Sequence, residues 1–359
     1  MFTFDAHLDL AMNAVEWNRD LTRPLAELRE MEGPLRDKVD RGHGTVCLPE
    51  MRRARIGMCV ATQIARVEMN AWSPVAGWRS QAQAWAITQG QLAWYQAMDE
   101  AGEMAQIRTR EEMERHLALW DDPQADPAKL PVGFILSLEG ADSLITPSYL
   151  ERSYAAGLRA IGPAHYGPGV YANGTDATGC FGEKGRELLR EIERLGLILD
   201  ATHLCDDCFW EALDRFSGPV WASHHNARTL VPHNRQLSDE MFRALIARGG
   251  VVGVALDAWM IVPGWVRGKT TPLSSGVSLS HVADHIDHFC QLAGNTKHVG
   301  LGTDLDGAYG TEQTPQDLDS IADIQKLRPL LAKRGYSEDD LTSIFAGNFV
   351  GFLRKNLPA

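Results

Sequence analysis

Short, nearly continuous hydrophobic runs recur along the chain, and from about residue 130 onward they alternate with amphipathic helical patterns. Apolar runs of this kind predict strands that are buried on both faces, as in a parallel sheet. The eight predicted strands cover residues 3–7, 56–64, 132–138, 158–164, 197–201, 220–223, 251–256 and 298–303. Eight strands in βα alternation favour a (β/α)8 barrel of the TIM type.

An open, doubly wound sheet is the alternative arrangement for the same alternation. No G-x-G-x-x-G motif follows the first predicted strand, which argues against the dinucleotide-binding version of that fold. We expect a single domain over residues 1–359. Residues 11–55 are charged and interrupted by proline and glycine, and residues 66–120 look mainly helical. Both segments are predicted insertions, after strands one and two respectively.

Helix limits are indicated by capping residues. The apolar side chains of residues 185–195 fall on one helical face, and Gly196 is a typical stop. Ser238, followed by two acidic residues, is a typical N-cap. Cys205 and Cys208 form a C-x-x-C in the first turn of another predicted helix, but no second pair follows at zinc-ribbon spacing. We therefore expect the six cysteines to be free thiols.

Composition and charge exclude several classes of partner. The net charge of −12 argues against nucleic acid and against an anionic membrane surface. No apolar run approaches the ~20 residues of a membrane-spanning helix. The residues after Met1 lack the basic and apolar regions of a signal peptide. The expected protein is cytoplasmic, with neither membrane nor nucleic acid as a partner.

Residue types that bind metals stand where the predicted strands end. They are His7 and Asp9 after strand one, Glu139 after strand three, His165 after strand four, His203 after strand five, His224 or His225 after strand six, and Asp304 or Asp306 after strand eight. In a (β/α)8 barrel these ends form one face, where the active site lies. Three histidines and two carboxylates exceed the protein ligands of one tetrahedral zinc ion. They suit two divalent ions that share a carboxylate, and Glu139 is the expected bridge because its strand lies between the two groups of ligands.

Each of these residues also has a structural interpretation. A single histidine near a strand end is more often a hydrogen-bonded core residue than a ligand. Glu139 could cap the next helix, and Asp304 or Asp306 could bind the backbone of the turn at Asp306-Gly307. The recurrence of such residues at the same end of successive strands favours the metal site.

A second group of histidines, His281, His285 and His288, shares one face of a predicted helix at residues 280–292. They flank the apolar stripe that faces the sheet. In a barrel this helix lies outside the ring, away from the strand ends. We interpret the three histidines as a partly solvated face and not as a second metal site.

Taken in order, these residues resemble those of the membrane (renal-type) dipeptidases, which are zinc peptidases of the amidohydrolase superfamily. The resemblance covers nearly the whole chain. It rests mainly on the blocks Asp5-Ala6-His7-Leu8-Asp9, Ser137-Leu138-Glu139-Gly140, Ala164-His165, Asp200-Ala201-Thr202-His203, Ser223-His224-His225-Asn226-Ala227-Arg228, His233-Asn234-Arg235 and Gly302-Thr303-Asp304-Leu305-Asp306-Gly307. A single block is weak evidence, whereas the set in this order is very specific.

The resemblance implies a dipeptidase that hydrolyses the peptide bond of small dipeptides through a hydroxide bridging two zinc ions. The ligands of one ion would be His7, Asp9 and Glu139. Those of the other would be Glu139, His203 and His224, with His224 chosen over His225 by the family's pattern. Zinc is the metal that the family implies, although manganese and cobalt also suit such ligands.

The resemblance also implies roles around the metals. His165 would bind the scissile carbonyl or its oxyanion, and Arg235 would pair with the terminal carboxylate of the substrate. Asp304 would handle protons and the substrate amine. Bacterial members often accept a D-residue at the C-terminal position, so L-Xaa-D-Xaa dipeptides are included among the expected substrates. A homodimer is suggested by the family alone.

Two positions depart from the family's pattern. His225 stands where a serine is expected, and the end of strand seven reads Leu256-Asp257-Ala258-Trp259 instead of an Asn-Phe-Tyr type of segment. The second departure leaves the preferred side chains of the substrate open.

Other functions for the same fold also remain open. Another amide hydrolase of the superfamily, such as an N-acyl amino acid deacylase or a lactamase, would keep the same site. A non-catalytic metal-binding protein would lack a catalytic group, yet His165, Arg235 and Asp304 are all present. A mononuclear deaminase is disfavoured because Glu139 would then have no clear partner.

Overall fold

Eight parallel strands form the barrel of the computed structural model, which describes residues 2–69 and 71–359. They are β1 (Thr3–Leu8), β2 (Ile56–Ile64), β3 (Val132–Glu139), β4 (Leu158–Gly162), β5 (Ile198–Asp200), β6 (Val220–Trp221), β7 (Val252–Val254) and β8 (Val299–Leu301). Each coincides with a strand predicted from the sequence. The residues of β1, β2 and β3 are all buried, which explains their continuous apolar character.

The strands follow the order β7-β8-β1-β2-β3-β4-β5-β6. The first and last strands of that order meet at an isolated parallel bridge between Ala222 and Val252. The Ala222 amide donates to the Val251 carbonyl at 3.0 Å, and the Gly253 amide donates to the Ala222 carbonyl at 2.9 Å. These bonds close the ring, and the predicted TIM-like (β/α)8 fold is confirmed.

Helices surround the ring of strands. The α-helices are Leu10–Val15, Leu25–Glu32, Leu48–Arg53, Gln81–Glu100, Arg110–Asp121, Leu150–Ala155, Glu183–Arg194, Asp206–Arg215, Asp239–Ala247, Ala258–Ile261, Pro272–Ser275, Leu279–Ala293, Leu327–Lys333, Glu338–Thr342 and Asn348–Asn356. Short 3₁₀ turns are Pro127–Lys129, Ala141–Ser143, Pro147–Tyr149, Thr311–Gln313 and Ile321–Lys326, and Ser343–Gly347 is a π-helical turn. Within residues 2–69 and 71–359, no helix combines the length and the apolar character needed to cross a membrane.

Local signals in the sequence locate these helices well. The Ser238 hydroxyl accepts a hydrogen bond from the Met241 amide, as expected of an N-cap. Gly196 has a φ of +66°. This left-handed conformation, which often ends a helix, causes no steric strain in glycine. Cys205 is the N-cap of the helix Asp206–Arg215, and the six cysteines are free thiols, as predicted.

Three further strands are too short for a periodic pattern to reveal them. Arg66–Val67 pairs with Gly77–Trp78, and Met104–Gln106 pairs with the start of β3. All three lie within residues 66–120, which are otherwise mainly helical, as expected.

The histidines of helix Leu279–Ala293 differ from the prediction of a partly solvated face. His285 is fully buried. Its Nδ1 accepts from the Ala227 amide at 3.1 Å, and its Nε2 lies 3.0 Å from the Ile261 carbonyl, to which it donates. His288 instead pairs with Asp239 at 2.9 Å. The prediction was wrong for His285, which joins three segments because a neutral imidazole satisfies one buried donor and one buried acceptor at once.

A buried ionic network anchors the segment that follows β1. The Arg19 guanidinium lies 2.8 Å from Glu32, 2.9 Å from Asp40 and 3.6 Å from Asp306. Asp306 also accepts from the Thr45 amide at 2.7 Å, the Thr45 hydroxyl at 2.6 Å and the Val46 amide at 3.0 Å. Asp306 therefore ties residues 45 and 46 to the loop after β8.

We predict that Asp306→Ala destabilises the protein by about 3 kcal/mol, because it leaves three donors and part of a buried cation without an acceptor. Urea unfolding of the metal-free protein measures the change. Asp121→Ala, at an exposed position, is the control and should stay within about 0.5 kcal/mol of the wild type. Equal midpoints for the two variants would contradict the anchoring role.

Candidate metal centre

Five predicted ligands converge at the carboxyl ends of the barrel strands. His7 lies in β1 and Asp9 just follows it, Glu139 ends β3, and His203 and His224 come three residues after β5 and β6. Ligand-type atoms of His7, Asp9 and Glu139 all lie within 4.8 Å of one another. The same is true of Glu139, His203 and His224. Glu139 belongs to both groups, which is the position expected for a bridging carboxylate.

The two oxygens of Glu139 divide between the two groups. Its Oε2 lies 3.4 Å from Nε2 of His7. Its Oε1 lies 3.3 Å from Nε2 of His203 and 3.4 Å from Nε2 of His224. One buried carboxylate thus faces imidazoles from β1 on one side and from the ends of β5 and β6 on the other.

The outer nitrogens of these imidazoles are already engaged. Nδ1 of His203 lies 2.9 Å from the Thr175 hydroxyl, and Nδ1 of His224 lies 2.9 Å from the Ser223 hydroxyl. Nε2 of His203 and Nε2 of His224 point at each other across 3.2 Å, and Nε2 of His7 is buried without a hydrogen-bond partner. Inward Nε2 atoms with outward hydrogen bonds are the arrangement that metal-binding histidines adopt.

Two buried aspartates, which the sequence analysis did not single out, hold the strand ends in place. Asp5 accepts from the Thr303 amide at 2.8 Å, the Thr303 hydroxyl at 2.6 Å and the His7 amide at 3.2 Å. Asp200 accepts from the amides of Thr202 and Ser223, both at 3.0 Å. A carboxylate inside an otherwise apolar strand is the signal that could have revealed both.

Burial and the clustered carboxylates set the charges of the metal-free site. Burial alone lowers the pKa of His7, but neighbouring carboxylates, Glu139 first, outweigh it and raise the pKa to about 10. Burial raises the pKa of Asp9 to about 7, helped by the charge of Glu139. Burial also holds the pKa of His203 and of His224 well below the usual range, so both imidazoles are neutral.

Asp304 lies beside the first group. Its Oδ1 is 3.8 Å from Nε2 of His7, and its side chain is 15% exposed, more than the side chains of His7 and Glu139. Burial holds the pKa of Asp304 well above its usual range, although the charge of His7 opposes the shift. The backbone of Asp304 has a φ of +57°, a strained conformation for a residue with a side chain. A protonatable carboxyl therefore stands at the edge of the cluster.

His165 and Arg235 lie beside the other group, that of Glu139, His203 and His224. The ring centre of His165 is 4.5 Å from that of His203. Burial lowers the pKa of His165 to about 4, so the imidazole is neutral, and its Nδ1 has no hydrogen-bond partner. Arg235 is only 1% exposed. Its Nη2 donates to the His224 carbonyl at 3.0 Å, whereas its Nη1 is buried without a partner. Among the described residues, no carboxylate pairs with this buried cation.

The two departures from the family's pattern are also located. His225 is buried and belongs to neither group of metal-type residues, whereas its neighbour His224 does. Asp257 is buried, accepts from the Gln313 amide nitrogen at 2.8 Å and lies 3.5 Å from the Arg267 guanidinium. A pocket contains the cluster and extends to Asp257 and Arg267. Its lining includes Asp9, Val75, Glu139, His165, Tyr166, His203, His224, Arg235, Asp257, Met260, Arg267 and Asp304.

We predict that metal binding releases protons. In the metal-free protein at pH 7, His7 carries a proton because its pKa is raised to about 10, and a ligand must give that proton up. Zinc uptake should therefore release about one proton or more, and affinity should rise with pH until the pKa of His7 is passed. Calorimetric titration in buffers of different ionisation enthalpy counts the protons. A binding enthalpy that does not depend on the buffer at pH 7 would contradict this charge distribution.

Comparisons with known proteins identify the family of this chain. A profile of the membrane dipeptidase family (Peptidase family M19) matches residues 1–356. An uncharacterized protein from the pqqA 5′ region of Klebsiella pneumoniae is 30% identical over 213 residues, which are 57% of this chain and 74% of that protein. An uncharacterized dipeptidase of Schizosaccharomyces pombe is 28% identical over 222 residues, which are 60% of this chain. The match spans only 51% of the yeast protein.

A solved structure has the same fold over its whole length. It is a metallo peptidase from Rhodobacter sphaeroides, liganded with a phosphinate mimic of the dipeptide L-Ala-D-Ala. It covers 99% of both chains with a TM-score of 0.77 at 21% sequence identity. Because the family profile extends over almost every residue, this chain belongs to the membrane dipeptidase family (Peptidase family M19).

Proposed function

We propose that the protein is a metal-dependent dipeptidase that uses two zinc ions to hydrolyse small dipeptides. The observation that carries the proposal is the position of Glu139, whose two oxygens face two separate groups of metal-type side chains. Family membership supports the reaction class. The unpaired, buried Arg235 supports a substrate that carries a carboxylate.

The residues present fit a pair of divalent ions. His7 and Asp9 would complete the coordination of one ion, His203 and His224 that of the other, and Glu139 would bind both. Nε2 of His7 is a buried nitrogen that makes no hydrogen bond, and Nε2 of His203 and of His224 face the same carboxylate, so the donors of both groups are directed at positions that a cation could occupy. When bound there, zinc would polarise the scissile carbonyl and activate a water molecule.

Arg235 would hold the terminal carboxylate of the dipeptide. Its guanidinium is fixed by the hydrogen bond to the His224 carbonyl, which leaves Nη1 free to donate. A planar guanidinium matches a planar carboxylate, and the match is strongest in a pocket that excludes water. Binding at Arg235 would therefore place the peptide bond against the metal groups, because His224 belongs to one of them.

His165 and Asp304 would act on the reacting atoms. His165 is neutral, so it can donate a hydrogen bond to the oxygen of the scissile carbonyl as negative charge develops there. Asp304 would take a proton from the attacking water and pass it to the leaving amine. Its raised pKa allows its carboxyl group to hold the proton between these steps.

Dipeptides of the form L-Xaa-D-Xaa are included in the proposal. The Rhodobacter sphaeroides structure with the same fold is liganded with a mimic of L-Ala-D-Ala. The recognition proposed here depends on the carboxylate and the peptide carbonyl, which a D-residue also provides. A homodimer and a cytoplasmic location remain expectations.

We predict that the zinc-loaded protein hydrolyses a panel of L-Xaa-L-Xaa and L-Xaa-D-Xaa dipeptides and that chelation abolishes the activity. Asp304→Asn keeps the size of the side chain but removes its proton transfer, so kcat should fall by about 10²- to 10⁴-fold. Asp121→Asn, at an exposed position, is the matched control and should retain wild-type kcat. The rates are measured from the amount of free amino acid released, which is labelled at its amine and separated from the labelled dipeptide.

Metal content is measured beside activity in the same samples. Asp304→Asn protein that keeps its zinc but loses turnover supports the proton-transfer role. A zinc-loaded wild type that cleaves no dipeptide would contradict the dipeptidase proposal and favour another amide hydrolase, such as a deacylase or a lactamase. Unchanged kcat in Asp304→Asn would remove that residue from the mechanism.

A further inference from the structure

Segments beyond the metal centre form a second, aromatic cavity, which we call the outer cavity. It has a volume of about 230 Å³ and is lined in part by Trp72, Tyr166, Trp259 and Arg267. Tyr166 and Arg267 also line the pocket of the metal centre. The two spaces therefore share a wall, and a substrate side chain that leaves the metal centre would meet these two residues first.

The Arg267 guanidinium lies close to two indole rings. Its guanidinium carbon lies 5.1 Å from the ring centre of Trp72 and 5.0 Å from that of Trp259. Cation–π contacts of this kind attract a guanidinium to the ring while its N–H groups stay available. The two rings thus hold the charge of Arg267 at the wall shared by the two spaces.

The N–H groups of Arg267 are little used within the protein. One contact is with the Tyr166 hydroxyl at 3.4 Å and the other is with Asp257 at 3.5 Å, both made by Nη2. Both distances are long for a charge-assisted hydrogen bond. Among the described residues, Nε and Nη1 have no acceptor, and the side chain is 30% exposed. These N–H groups can therefore donate to the oxygen of a further ligand without breaking an existing strong bond.

The surrounding charges allow an anion at this place. The nearest carboxylate, Asp257, is deeply buried and also accepts from Gln313 at 2.8 Å. Arg267 is therefore not the sole partner of that carboxylate. Asp176 lies at the outer rim, where it pairs with His233 at 3.6 Å. The unpaired Arg235 adds a second positive charge close to Tyr166. One guanidinium can contact two carboxylates, as Arg19 does with Glu32 and Asp40. Arg267 could in the same way contact a substrate carboxylate in addition to Asp257.

We propose that Arg267 is a specificity-determining residue that selects dipeptides with an acidic side chain. The proposal rests on the dipeptidase function proposed above. Arg235 holds the α-carboxylate, and Arg267 holds the side-chain carboxylate of a glutamate or aspartate through its free N–H edge. Trp72 and Trp259 keep the guanidinium in place and line the passage of the side chain. A substrate with an uncharged amide in the same position loses the charge-assisted pair.

The test compares isosteric substrates. Zinc-loaded protein is assayed with Ala-D-Glu and Ala-D-Gln and with Glu-Ala and Gln-Ala, so that each position of the dipeptide is examined. The wild type should prefer the acidic member of one pair by about tenfold or more in kcat/KM, since a charge-assisted pair is worth at least one factor of ten. Arg267→Met, which fills similar space without charge, should reduce this preference to about one, because kcat/KM falls further for the acidic member than for the amide member.

Two further variants separate selection from structure. Arg267→Lys keeps the charge without the planar fork, so it should retain only part of the preference. Arg243→Met, at an exposed helical position, is the control and should retain all of it. If Arg267→Met lowers cleavage of both members of the pair equally, the residue only holds the loops together and the proposal is wrong. A wild type without preference for the acidic member overturns it as well.

A binding measurement keeps this proposal separate from the dipeptidase proposal. Non-hydrolysable phosphinate analogues of Ala-D-Glu, Ala-D-Gln, Glu-Ala and Gln-Ala are titrated calorimetrically into zinc-loaded wild type and Arg267→Met. Tighter binding of one acidic analogue by the wild type alone supports Arg267 even if no dipeptide is cleaved. Cleavage of neutral dipeptides together with equal binding of the acidic and amide analogues would retain the dipeptidase and reject the role of Arg267.

Discussion

The buried carboxylate of Glu139 is the feature on which the rest of the site depends. A carboxylate taken out of water costs several kcal/mol unless charges or hydrogen bonds replace its hydration. Here imidazole nitrogens from three strand ends lie within 3.4 Å of its two oxygens. They can meet only because the barrel is closed and its strands end at one level. With Asp9 and Asp304 nearby, the negative charge of this centre matches divalent cations better than it matches the single cation that His7 can provide.

Buried polar side chains around the centre keep its geometry. Asp5 links β1 to the residues after β8, and Asp200 links β5 to the residues after β6. The first link joins the strand of His7 to the segment that carries Asp304, and the second joins the segments that carry His203 and His224. Such supports fix ligand orientation and account for much of the affinity and rate of metal sites. Two arginines at the same pocket also keep free donors, because Arg235 is held by one hydrogen bond through Nη2 and Arg267 lies close to two indole rings.

The sequence predicts the barrel well because its strands are buried on both faces and show this directly as apolar runs. It also brings His7, Glu139 and His203 to one rim, since strand ends in a barrel share a face. It cannot reveal His285 as a buried link, because its Ala227 and Ile261 partners lie far away in the chain. For the same reason Trp72 and Trp259, from segments almost two hundred positions apart, are unrelated in sequence yet lie close to one guanidinium. The short strand Arg66–Val67 depends on its partner and not on any local pattern.

The number and position of the bound metals test the central claim most directly. Crystals of the zinc-loaded protein, measured on both sides of the zinc absorption edge, locate each ion by anomalous scattering. Two peaks about 3.5–4 Å apart, each within bonding distance of one oxygen of Glu139, are the predicted result. A single peak, or two peaks of which one lies away from Glu139, would contradict the shared carboxylate and with it the mechanism proposed for this protein.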